Sequence, residues 1–121
     1  MGEIVYEHDC RSIGFSLNRG TRRIVMADQT QLDRLRAGVN DWNAWREANP
    51  EEDIYLSGAD LSYANLSYAN LSYADLHGAN LIHADLSDAD LHGANLIYAN
   101  LIGANLIGAN LENTDLIGAI R

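Results

Sequence analysis

Ala59-Asp60-Leu61-Ser62-Tyr63-Ala64-Asn65-Leu66-Ser67-Tyr68-Ala69-Asn70-Leu71-Ser72-Tyr73 writes the pentad Ala-(Asp/Asn)-Leu-X-X without a gap, and the pattern continues to Ala109-Asn110-Leu111 before loosening at Thr114-Asp115-Leu116. Leucine stands at every fifth position: Leu56, Leu61, Leu66, Leu71, Leu76, Leu81, Leu86, Leu91, Leu96, Leu101, Leu106, Leu111 and Leu116. A self-similar period is read before any local motif, because it dictates the architecture of every residue it spans.

A spacing of five suits neither common secondary structure. On an α-helix, successive leucines would be displaced by about 140° and would form no single apolar face. On a flat strand, odd spacing sends alternate leucines to opposite faces. The leucines share one interior only if the chain bends once per pentad, so that each short straight piece sends one Leu and one Ala inward. The product is a wound solenoid with neighbouring coils about 4.8 Å apart, the spacing of hydrogen-bonded strands.

The pattern resembles the pentapeptide-repeat family, and the resemblance covers residues 54–121. It implies a right-handed quadrilateral β-helix with four pentads per coil, in which the central Leu and the Ala two residues before it point inward. Leu56 to Leu116 then form the core column, with Ala59 to Ala109 between them, Ile54 in place of Ala at the entrance and Thr114 near the exit. Charge supports four pentads per coil over three. Stacking at fifteen would place Asp60, Asp75 and Asp90 above one another, at roughly 0.8 kcal/mol per pair even in water. Stacking at twenty gives Asp60/Asn80/Asn100, Asn65/Asp85/Asn105, Asn70/Asp90/Asn110 and Tyr55/Asp75/Asn95/Asp115, with no aspartates on adjacent rungs. The rod is expected to have about three coils and a length of about 16 Å. The fold class is therefore an all-β solenoid with an α-helical cap at its N-terminal end.

That cap is read in residues 26–53. Leu32, Leu35, Val39, Trp42 and Trp45 recur at spacings of three and four, as on an amphipathic helix running from Asp28 to Ala48. Asp28 or Thr30 can cap its start, Gly38 can kink or divide it, and Asn49-Pro50 stops it. The string Trp42-Asn43-Ala44-Trp45-Arg46-Glu47-Ala48-Asn49-Pro50 resembles the short helix that precedes the repeats in many bacterial and cyanobacterial members. By that resemblance Trp42 and Trp45 cover Leu56 and Leu61; the competing use of such a pair is a ligand or partner site. Residues 1–25 admit two readings. Ile13, Phe15 and Leu17 alternate as in a strand and Asn18-Arg19-Gly20 can turn, which gives a hairpin; alternatively, translation begins at Met26 and the segment is an extension.

Composition narrows the function classes. The chain of 121 residues carries a net charge of −9, and residues 54–121 hold seven acidic side chains against Arg121 alone. Such a surface disfavours direct binding to nucleic acid or to an anionic membrane. No apolar run is long enough for a signal peptide or a membrane-spanning helix, so the expected location is cytoplasmic. Cys10 is the single cysteine and forms no internal disulfide. Together with His8 it offers two ligands, too few for a metal site. His77, His83 and His92 fall in different columns of a twenty-residue coil, and the Asp/Asn positions suit local turn bonds. No catalytic, cofactor or metal site is expected, since the fold fills its interior with Leu and Ala and turns its polar groups outward.

The two outward positions after each Leu carry the remaining signal. Early pentads read Ser-Tyr, placing Tyr63, Tyr68 and Tyr73 around the first coil, where aromatics suggest a junction with the helix. Late pentads place Ile97, Ile102, Ile107 and Ile117 outward, interrupted by Glu112. Exposed apolar patches mark association surfaces, and a head-to-head homodimer through the C-terminal end would cover two such patches at once. That arrangement resembles the C-terminal dimerisation of some family members. The leading expectation is a non-enzymatic structural or interaction module, its protein partner unidentified. The alternative is a DNA-mimicking inhibitor of a type II topoisomerase, as in the quinolone-resistance branch of the family. This chain departs from that branch in its near-perfect repeats, its few coils and its lack of interrupting loops.

Overall fold

The computed structural model describes residues 26–121; the expectations for residues 1–25 lie outside them. Every backbone bridge is parallel and joins residues twenty apart, beginning with Tyr55 to Asp75 and Asp60 to Asn80 and ending with Asn100 to Ile120. Four pentads therefore make one coil, and successive coils begin at residues 54, 74 and 94. The Asp/Asn columns are those that keep aspartates off adjacent rungs.

Each pentad settles its own backbone hydrogen bonds. In the unit Ala79-Asn80-Leu81-Ile82-His83, the N–H of Leu81 donates to the carbonyl of Asn100 one coil on, and that of His83 donates to Ile102, both at 2.8 Å. Asn80 N–H donates to Ala59 in the preceding coil at 2.9 Å. Ala84 N–H closes a turn onto Leu81 at 3.0 Å. The fifth donor, Ile82 N–H, finds no carbonyl and instead meets Oδ1 of Asn80 at 3.0 Å. This bond recurs down the rod, from Ser62 on Asp60 to Ile117 on Asp115. It explains the pentad's Asp/Asn: a side-chain acceptor there pairs the one N–H that the ladder leaves over.

The second residue after each Leu has φ near +60 to +76°, as at Tyr63, His83, Asp88 and Gly103. A four-residue turn with positive φ at its third position has the type II signature. It bends the chain once per pentad and returns both Ala and Leu to the interior. Leucines from Leu56 to Leu101 are buried, with alanines packed between them. Leu106, Leu111 and Leu116 are only half-buried, because among the described residues no rung lies below them. At Thr114, where the pentad departs from Ala, the hydroxyl donates to the carbonyl of Leu91 at 2.7 Å, so the substitution leaves no unpaired polar atom.

Two helices, α1 (Gln29–Ala37) and α2 (Val39–Ala48), lie across the first coil. Asp28 caps α1, its Oδ1 accepting from the N–H groups of Thr30 and Gln31, and Arg34 and Arg36 sit in its last turn, where the helix dipole favours cations. Gly38 then divides the helical stretch, with φ 147° and ψ 145°, a conformation open to glycine and costly for other residues. Asn49 closes α2 ahead of Pro50. Leu32, Leu35 and Trp42 join the same apolar cluster as the leucine column.

Candidate interaction surfaces of the rod

The first coil presents a strand edge to the helices, and its peptide groups need partners there. Two side-chain amides supply them. Gln31 donates from Nε2 to the carbonyl of Asp53 and accepts the N–H of Tyr55 on Oε1, both at 2.8 Å. Asn43 does the same one corner back along the square, donating to Tyr68 at 2.9 Å and accepting from Asn70 at 2.8 Å. Trp42 is fully buried and donates from Nε1 to the carbonyl of Asn70 at 2.8 Å. Arg46 adds bonds to the carbonyls of Asn70 and Ser72, both at 3.0 Å. Burial lowers the pKa of Arg46, while the negative charge of Asp90 opposes that shift. Trp45 packs beside Trp42 at 5.3 Å between centroids and carries the guanidinium of Arg34 on its face at 4.9 Å. Gln31, Asn43 and Arg46 were missed in the sequence, since polar residues on an amphipathic helix read as solvated.

At the other end, the last twenty residues carry the expected isoleucines. Ile102, Ile107 and Ile117 are 44, 77 and 66 % exposed and stand at three different corners. Ile97 differs: it is half-buried, held in its column between His77 above and Ile117 below. The N–H groups of Leu106, Gly108, Leu111, Asn113 and Leu116 take no hydrogen bond among the described residues. This end thus combines half-buried leucines, outward isoleucines and an open edge.

Of the three tyrosines expected near the helices, Tyr68 meets them through its backbone, its carbonyl accepting from Asn43 Nδ2. Tyr63, Tyr68 and Tyr73 are exposed, because positive φ at the corner throws each side chain outward. From there the rings lie along the next coil: Tyr63 stacks on His83 at 5.1 Å, and Tyr73 meets the edge of His92 at 5.3 Å. His77 meets Tyr98 at 5.9 Å, so the three repeat histidines stand at three different corners and converge on no shared point. His92 Nδ1 lies 3.5 Å from Glu112. The pKa values of Asp60 and Asp85 are lowered, chiefly because each carboxylate accepts the hydroxyl of the serine two residues on, at 2.7 and 2.6 Å.

A continuous ladder of five-residue repeats around a filled apolar column defines a repeat scaffold. The family model described as Pentapeptide repeats matches residues 52–88 and 84–120, with eight copies, and the chain belongs to this family. Its members fold as right-handed quadrilateral β-helices. Among solved structures, the chain is similar to HetL, a pentapeptide repeat protein involved in heterocyst differentiation regulation from the cyanobacterium Nostoc sp. strain PCC 7120. The identity is 42 % over 53 % of this chain and 37 % of that one, with a TM-score of 0.44. It is also similar to Rfr23 from the cyanobacterium Cyanothece 51142, at 47 % identity over 56 % of this chain and 52 % of that one, with a TM-score of 0.37. A third is alr5209 from Nostoc PCC 7120, at 46 % identity over 50 and 54 % of the two chains, with a TM-score of 0.26. The chain thus spans between 37 and 54 % of the length of these proteins. No curated protein matches it. No helix among the described residues is long and apolar enough to cross a membrane.

Proposed function

We propose that the chain is a non-enzymatic interaction module, a rod of about three coils covered at one end by α1 and α2 and self-associating through the other. The observation that carries this reading is the unequal burial of one leucine column. Leu56 to Leu101 are enclosed, whereas Leu106, Leu111 and Leu116 stay half-open beside exposed Ile102, Ile107 and Ile117. Apolar surface at the end of a rod gains most from meeting its own copy about a twofold axis, since both ends are covered in one contact. Strand edges on the two copies supply donors and acceptors to one another.

Light scattering coupled to size exclusion tests the reading. The expected result is a dimer whose mass is insensitive to salt, falling to a monomer in Ile107→Glu and in Ile102→Glu, with the circular dichroism of the parent. A monomeric parent, or a dimer untouched by both changes, would overturn the proposed interface. Supercoiling inhibition at low micromolar protein would favour the topoisomerase alternative, and its absence at high concentration would remove it.

A further inference from the structure

The helices satisfy the first-coil edge unevenly. Gln31 serves the Tyr55 corner and Asn43 the Asn70 corner, each accepting the N–H that a preceding coil would take and donating to the carbonyl two residues before it, while Trp42 and Arg46 meet the carbonyl of Asn70 itself. At the Asp60 corner only the carbonyl is met, by Nη2 of Arg36 at 2.7 Å. At the Asn65 corner neither the N–H nor the carbonyl of Asn65 takes a hydrogen bond among the described residues, and the same holds for the carbonyls of Ser62 and Ser67. Above this stretch lies a groove of about 930 Å³, walled by Leu35, Gly38 and Val39 and floored by Leu61, Ala64 and Leu66. Ala64 is half-buried, whereas every other inward alanine from Ala59 to Ala99 is buried. The position thus lacks both the backbone and the apolar cover that each lower coil receives.

The ladder below specifies what would fit. Asp85, directly under Asn65, gives its N–H to the carbonyl of Ala64 at 2.9 Å and takes the N–H of Leu66 at 2.8 Å. An occupant above Asn65 must likewise offer a carbonyl, then an N–H two residues later, with apolar side chains at those two positions. Its flanks are set by charge. Asp41 and Asp60 face the groove against Arg36 alone, whose Nη2 is engaged at the Asp60 carbonyl, and the whole chain stands at −9. We propose that this groove is a docking site for an extended segment of a partner protein, apolar at alternate positions and flanked by lysine or arginine, which pairs with the Asp60–Ser67 edge as a preceding coil would. This site lies at the opposite end of the rod from the isoleucines, so a self-associated rod could hold a partner at each free end.

The probe is a synthetic peptide with the sequence of residues 59–68 and one lysine added at each terminus, titrated into the full chain. Fluorescence anisotropy is expected to show saturable binding, weakened at least about tenfold when both peptide leucines are N-methylated, since those N–H groups would pair with the edge carbonyls. Amide exchange by NMR is expected to slow at Asn65 with Leu106 and Leu111 unchanged. Ala64→Arg, which fills the groove, is expected to abolish binding. If Ala64→Arg fails to fold, the N-methylated peptide decides the question alone. Protection confined to Leu106 and Leu111 would place the peptide at the opposite edge and overturn the proposal. A peptide-free chain in which Asn65 is already protected would overturn it too, because the chain would then be its own occupant.

Discussion

The first coil and the last twenty residues follow the same pentad rule and end the same ladder, yet they meet their surroundings in opposite ways. At the first coil, side chains from α1 and α2 stand in for absent peptide groups: Gln31, Asn43, Trp42 and Arg46 make bonds of 2.8 to 3.0 Å to its edge. At the last rung the amides of Leu106, Leu111 and Leu116 have no such partners among the described residues, and the leucines themselves are half-open. The interior of a solenoid is fixed by its repeat, whereas its ends are fixed by whatever departs from the repeat. Unpaired backbone groups among the described residues therefore lie at the two ends of the ladder.

The sharpest way to break the contrast is at Trp42, which is fully buried and hydrogen-bonded to the first-coil edge. Trp42→Ala is expected to cost about 3–5 kcal/mol by urea unfolding; a loss under about 1 kcal/mol would mean that the helices contribute little to the rod. Next in size is a leucine pair. Leu86→Ala in the enclosed column is expected to cost about 2–5 kcal/mol, and Leu111→Ala in the open rung about half as much. Equal losses would show that the last rung is covered in solution, which would itself support association at that end.

Smaller effects are expected at the corners. Gly78 has φ 68° with open space around it, whereas Gly103 has φ 73° and lies under the ring of His83. Gly78→Ala should cost about 1 kcal/mol for its backbone alone. Gly103→Ala should cost about 1–3 kcal/mol more, since a Cβ there would collide with the imidazole. Shortening the side chain in a His83→Ala background should remove that excess.

The smallest effect separates early pentads, where serine hydroxyls meet Asp60 and Asp85, from late ones, where isoleucine follows. Both aspartates have lowered pKa values in the folded chain. Their contribution is present above the ordinary carboxylate value of about 3.9 and is lost as pH falls through the lowered one. The melting temperature of a Ser62→Ala, Ser87→Ala variant should therefore lie below that of the parent at pH 7, with the gap narrowing towards about pH 2. A gap that stays constant would assign the effect to neutral hydrogen bonds.

The leucine period alone implied a solenoid with Leu and Ala inside, and alternating spacings of three and four implied the helical stretch with Asp28 and Gly38 as its punctuation. These features were legible because they are local or strictly periodic. The role of Gln31 and Asn43 was not, since it depends on where the two helices land on the first coil. The outward placement of the tyrosines was legible from their position after each Leu, but its cause, the positive φ of their corner, was not. The candidate site was legible in part: Ile102, Ile107 and Ile117 are exposed, and Ile97 is shielded by its own column.

The large corner side chains lean towards the next coil, where several find a glycine: Tyr73 over Gly93, His83 over Gly103, Asp88 over Gly108 and Tyr98 over Gly118. Removing the single pentad at residues 74–78 would bring Tyr73 over Tyr98 in place of Gly93, and Asp60 over Asp85 in place of Asn80, so that one ring loses its glycine and one carboxylate gains a like charge. The text of the sequence repeats every five residues, but its grammar repeats every twenty. Gain or loss of repeats in this chain should therefore proceed by fours, a grain size set by its corners and invisible in its leucines.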